Sequence, residues 1–161
     1  MTNQEVLRLL KSKHLTLGSV ESLTAGLFAS SFCETPGASD VFKGALITYA
    51  NEEKIALADV KESDIEDYGV VSEPVAKEMA IGGLMALNVN LCVSFTGNAG
   101  PTSEPGEAKV GEVFMALAYQ ENEEKPVQTS TYHRIFSGSR NEIRQACVEY
   151  MFSMILDYFS K

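Results

Sequence analysis

The chain has 161 residues, 45% of them hydrophobic, and a formal net charge of −9. That is enough apolar material for one folded domain with its own core, and too acidic a balance for a polynucleotide partner, whose phosphates need a basic face. No apolar run approaches the roughly 18 residues of a membrane span, so no membrane role is expected.

The first segment, 3–13, carries Val6, Leu7, Leu9 and Leu10 at helical spacing and lacks the apolar centre of a signal peptide, which predicts a cytoplasmic protein. A short strand is expected over 15–20. Ser22 and Thr24 then read as helix-start residues before "GLFASSFCE". "TPGAS" is a turn, "KGALITYA" a strand, and "NEEKIALAD" a short helix. The segment 72–87 opens on a Ser72 cap with Pro74 behind it, and its Val75, Met79, Gly82, Gly83 and Met85 fit one buried stripe.

A buried strand, "NLCVSFTG", runs into a loop rich in Gly, Pro and Ser over 98–109. Two further strands, 111–119 and 126–136, flank the acidic turn "QENEEK" and predict an antiparallel hairpin. The last segment, 139–159, is a long helix with Ile143, Ala146, Cys147, Tyr150, Met151, Met154 and Leu156 on its apolar face. The expected fold is α/β: a three-layer α/β/α sandwich around a mixed, five-stranded sheet, in one domain over 1–161.

Cys33, Cys92 and Cys147 are unpaired in spacing and fall in apolar segments, so core filling is their expected role. With His14 and His133 as the only histidines, no metal site and no cofactor are expected. Polar residues gather where loops leave the strands: "ESLTAG", the stretch from Ser39 to Lys54, and "TGNAGP". Composition and spacing carry this no further than a small-molecule cleft.

Together these blocks resemble the CinA C-terminal domain family, which includes stand-alone nicotinamide mononucleotide (NMN) deamidases of the PncC type. The resemblance is carried by Glu21-Ser22-Leu23-Thr24-Ala25-Gly26, Pro36-Gly37-Ala38-Ser39, Tyr49-Ala50-Asn51-Glu52 with Lys54, and Gly69 to Pro74. It continues through Thr96-Gly97, Ala99-Gly100-Pro101, Val110-Gly111 and Phe136-Ser137-Gly138 with Arg140 and Arg144. It implies hydrolysis of the NMN carboxamide to nicotinate mononucleotide and ammonia, with Ser39, Tyr49 and Lys54 catalytic. It also brings Ser22 and Arg140 into the expected substrate-binding set, to which the strand-end loops add Thr24, Gly97, Ala99 and Gly100, and it implies a homo-oligomer, with a dimer favoured. A catalytically silent nucleotide-binding or interaction domain, or a serine amidase for another small amide, are the competing readings. Three departures, Ala25 for a usual glycine, Asn98 for an aliphatic residue and the 102–109 loop, bear on substrate preference.

The expected chemistry has one physical requirement. Serine is a poor nucleophile until a base takes its proton, and a lysine with a pKa of about 10.4 is neutral in only about one molecule in 2,500 at pH 7. Lys54 must therefore be buried or placed beside a cation.

Overall fold

The computed structural model describes residues 2–161. In chain order the elements are α1 (Thr2–Ser12), β1 (Leu17–Glu21), α2 (Leu27–Phe32), β2 (Phe42–Ile47), α3 (Asn51–Ala58), α4 (Glu62–Tyr68) and α5 (Glu73–Leu87). Then follow β3 (Leu91–Gly97), β4 (Glu112–Tyr119), β5 (Gln128–Ile135) and α6 (Arg140–Phe159). The strands form one mixed sheet in the order β2-β1-β3-β4-β5. β1 runs parallel to both β2 and β3, whereas β4 pairs antiparallel with β3 and β5.

Strand alternation sorts the core into two layers. Leu91, Val93 and Phe95 of β3, with Met115 and Leu117 of β4, pack with α1, α2 and α6 through Val6, Leu10, Phe28, Phe32, Ile143, Cys147 and Phe152. Phe28 sits between Phe95 and Phe152, with ring centroids 5.5 and 4.9 Å away. The opposite face is built from Val20, Cys92, Ala116 and Ala118 under α3 and α5. Its residues are small because α5 lies close: a methyl at Gly83 would meet Val20 and Cys92, and one at Gly82 would overlap the Ala58 carbonyl. Neither glycine is placed by hydropathy; both are placed by helix approach.

Several expectations change. α4, which the sequence pattern does not predict, carries no buried residue. Met85 is 58% exposed because α5 turns that side to solvent. The buried stripe of α6 is Ile143, Cys147, Val148, Met151, Phe152 and Ile155. Ser72 does stand at the N-cap of α5, but its hydroxyl donates to the Gly69 carbonyl at 2.8 Å and makes no cap bond. Cys33 is exposed, and only Cys92 and Cys147 fill the core.

The arrangement fixes where a site can form. β1, β2 and β3 end at the same edge of the sheet, and β1 sends its chain to the α2 face while β2 sends its chain to the α3–α5 face. Loops that part this way leave a crevice beyond the strand ends.

Candidate active site

Three loops meet in that crevice: 22–26 after β1, 48–54 after β2, and 97–100 after β3. The N-terminus of α6 joins them. They enclose a cleft of about 250 Å³ lined by Ser22, Tyr49, Asn51, Lys54, Asn98 and Arg140, among others.

Its centre is a lysine–serine pair. Lys54 lies in the first turn of α3 yet is 1% exposed, because its helix packs that side inward. Its Nζ donates to Ser22 Oγ at 2.9 Å and to the Thr48 carbonyl at 2.9 Å. Among the described residues no carboxylate pairs with it. An ammonium without a counter-charge and largely cut off from water is disfavoured. Burial accordingly lowers the Lys54 pKa to about 8. At pH 7 about one molecule in ten then holds a neutral amine, several hundred-fold more than an exposed lysine would.

Ser22 is presented by a turn held from two sides. Behind it Glu21, fully buried, accepts from the Gly26, Phe28 and Ala29 amides at 3.2, 2.9 and 3.2 Å, and from the Ser19 hydroxyl at 2.8 Å. The carboxylate thus satisfies the opening amides of α2, the place where a negative charge is favoured. In front, Arg144 of α6 donates to the Leu23 and Thr24 carbonyls at 2.9 and 3.0 Å. The Leu23 and Thr24 amides themselves have no acceptor among the described residues. Ser22 is therefore not a helix cap: α2 begins after Gly26, and the Ser22 hydroxyl faces Lys54.

The same turn contains Ala25 at φ 47° and Gly26 at φ 98°, both left-handed. An L-residue in that region costs roughly 1–2 kcal/mol, part of which glycine gives back through its freer unfolded chain. Ala25→Gly is expected to raise stability by about 0.5–1 kcal/mol, measured as a shift in the urea midpoint.

The structure does not bring the three expected catalytic residues together. Ser39 is exposed, in the 3-10 turn Ala38–Asp40 that precedes β2, while Tyr49 and Lys54 follow β2. The strand between them spans six residues, which at about 3.3 Å each sets the two ends roughly 20 Å apart. Ser39 does not line the cleft. A strand cannot bring its own two ends together; the serine beside Lys54 comes from the neighbouring strand, β1.

Of the other expected residues, Tyr49 stands 59% exposed at the mouth, its hydroxyl accepting from Arg140 at 3.0 Å. The Arg140 guanidinium also donates to the Gly100 carbonyl, tying α6 to the third loop. Gly97 and Ala99 line the cleft. Thr24 lies buried behind it, and its hydroxyl has no partner among the described residues. Glu21 and Asn51 have no expected role in the site, and Asn98 enters the expectations only as a departure bearing on substrate preference. The mark of Glu21 is a charge continuing a wholly buried strand. Among the described residues no group of three or more His, Cys, Asp or Glu side chains is arranged to hold a metal ion. Burial raises the Cys92 thiol far above its usual range and the Cys147 thiol to about 12, so neither is a nucleophile.

The family model for the CinA C-terminal domain matches residues 1–159. A CinA-like protein of Petrotoga mobilis is 39% identical over 91% of this chain, and one of Thermotoga neapolitana 40% identical over 86%. The chain spans about a third of the length of these relatives, 35% and 32% respectively. Among solved structures, competence/damage inducible protein CihA of Agrobacterium tumefaciens aligns with a TM-score of 0.87 at 29% identity, covering 97% of this chain and 92% of that one. Competence damage-inducible protein A (ComA) of Klebsiella pneumoniae aligns with a TM-score of 0.92 at 23% identity, over 99% and 95%, a likeness of fold.

Proposed function

We propose that this chain, which belongs to the CinA C-terminal domain family, is an amidohydrolase that deamidates nicotinamide mononucleotide, with Ser22 as nucleophile and Lys54 as general base. The observation that carries this reading is the 2.9 Å contact between the buried, unpaired Lys54 amine and the Ser22 hydroxyl at the floor of an open cleft.

In the neutral form the amine accepts the Ser22 proton as Oγ attacks the carboxamide carbon. The carbonyl oxygen becomes an oxyanion that the Leu23 amide can receive, since Leu23 lines the cleft and its amide has no acceptor among the described residues. Such donors are worth roughly 3–4 kcal/mol each where measured. Lys54, now an ammonium, returns its proton to the amide nitrogen, and ammonia leaves. The ester on Ser22 is then attacked by water, whose proton Lys54 takes, and the carboxylate product departs with Ser22 reprotonated. Every proton moves through one amine, held in place by the Thr48 carbonyl.

The deciding experiment is ammonia release from NMN, compared with nicotinamide riboside and nicotinamide, with mass spectrometry of the quenched enzyme. An acyl adduct on Ser22 is the expected intermediate. Absence of ammonia from all three amides would remove this reading.

The pH dependence follows from the base. With the working form neutral, kcat/KM should rise with pH and level off above an apparent pKa near 8. Arg140 holds both Tyr49 and the Gly100 loop. Hydrogen bonds from a charged group are worth about 1.5–3 kcal/mol, so Arg140→Ala should lower kcat/KM by roughly ten- to a hundred-fold in initial-rate measurements.

A further inference from the structure

The catalytic cleft does not end at the dyad. Past Val70, Val71, Gly97 and Asn98 it continues into a second lobe of about 430 Å³, whose outer wall is the loop carrying Thr102, Gly106 and Glu107. Asn98 ties that wall to the end of β3, while Glu112 of β4 accepts from the Lys109 amide at 3.1 Å where the loop rejoins the sheet. The Asn98 amide donates to the Thr102 and Ala108 carbonyls at 3.1 and 3.0 Å, and its oxygen accepts from the Gly100 amide at 2.9 Å. Gly100 in turn carries the Arg140 contact that reaches Tyr49. Asn98 thus lines both lobes and joins the wall of the second to the mouth of the first.

The chemistry of the second lobe is selective. No lysine or arginine lines it among the described residues, and its one acidic side chain is Glu107. A phosphate finds no cation there. Hydroxyl donors find a carboxylate, the group that recognises ribose hydroxyls in nucleotide sites. Tyr68, 60% exposed, adds an aromatic face at the rim. In a ribosylated nicotinamide the sugar sits on the ring nitrogen, meta to the carboxamide, so an amide held at Ser22 leaves the sugar a full ring's reach from the dyad.

We propose that the second lobe seats the ribose of the substrate, that Glu107 accepts hydrogen bonds from its hydroxyls, and that Asn98 is the positioning residue that fixes the lobe's outer wall. This rests on the amidase reading of the Ser22–Lys54 pair. It places selection between amides on a loop apart from the reacting groups, and makes that selection indifferent to phosphate.

The test uses the full chain as wild type, Asn98→Leu and Glu107→Gln. KM and kcat are measured for NMN, nicotinamide riboside and nicotinamide. Affinities for the riboside and nicotinamide are measured by calorimetry in a Ser22→Ala background. Each variant should raise KM for both ribosylated amides by about ten-fold, equally with and without phosphate. Glu107→Gln, which does not line the dyad cleft, should in addition hold kcat within about three-fold and leave nicotinamide binding unchanged. Glu107→Gln touches none of the loop's hydrogen bonds, so it carries the test alone if Asn98→Leu does not fold. Unchanged KM and affinity in both variants, or a riboside that binds no more tightly than nicotinamide, overturns the proposal. Weakened riboside binding without ammonia release from the wild type supports the ribose site while overturning the amidase reading.

Discussion

Ser22→Ala should abolish turnover, with kcat falling by up to about a million-fold, while Ser39→Ala should keep wild-type kinetics. The contrast is decisive because both serines stand in segments that carry the family resemblance. Ser22 Oγ lies 2.9 Å from a buried amine and Ser39 lies at the other end of β2 in solvent. A nucleophile and its base act as a unit, so Ser22→Ala combined with Lys54→Ala should be scarcely slower than either alone. The folded state should tolerate Ser22→Ala, which removes one hydrogen bond from Lys54 at a cost of about 1 kcal/mol. Steady-state rates and trapping of the acyl enzyme settle the matter. A Ser39→Ala protein reduced below a tenth of wild-type kcat, or an adduct on Ser39, would return the nucleophile to the second loop.

Why the resemblance points to Ser39 while the fold sets Ser22 beside Lys54 has a plain cause. Sequence proximity places Ser39, Tyr49 and Lys54 within sixteen positions, but six of those positions are strand, and extended chain carries its ends apart. Ser22 is thirty-two positions from Lys54 and meets it because β1 and β2 are parallel neighbours whose C-terminal ends share one edge. Pairing of that kind is long-range and leaves no local mark. Ser22 also misleads on its own: serine ahead of a helix reads as a cap, and here Glu21 does the capping from inside the core. The α/β order, the mixed sheet and the hairpin of β4 and β5 were legible, since period-two and helical patterns are local properties. α4 was not, because a short helix with no buried face has no periodicity to read. Lys54 was legible as a lysine that must be buried to act; its burial was not, since the apolar residues around it belong to other elements.

Lys54→Met should lose activity as completely as Ser22→Ala, and it should also change how stability depends on pH. In the unfolded chain the amine titrates near 10.5, and in the fold near 8. Below pH 8 both states are protonated, and the fold carries the full penalty of a buried ammonium, about 3 kcal/mol. Between those two values the unfolded chain holds a proton that the folded chain has shed. Unfolding therefore takes up protons, so the Lys54 contribution makes stability rise with pH across this window. Methionine has similar length and no charge, so the variant lacks the penalty at pH 7 and lacks the rise above pH 8. It loses the bonds to Ser22 and the Thr48 carbonyl, about 1 kcal/mol each, at every pH. At pH 7 the variant should thus match or exceed the wild type in urea unfolding, and at pH 10 it should fall behind, the difference moving by about 2.5 kcal/mol. Other lysines and tyrosines titrate equally in both proteins and cancel from that difference. A separation that stays constant from pH 7 to 10 would mean that the amine is not depressed in the fold, and Lys54 would then have no neutral form with which to activate Ser22.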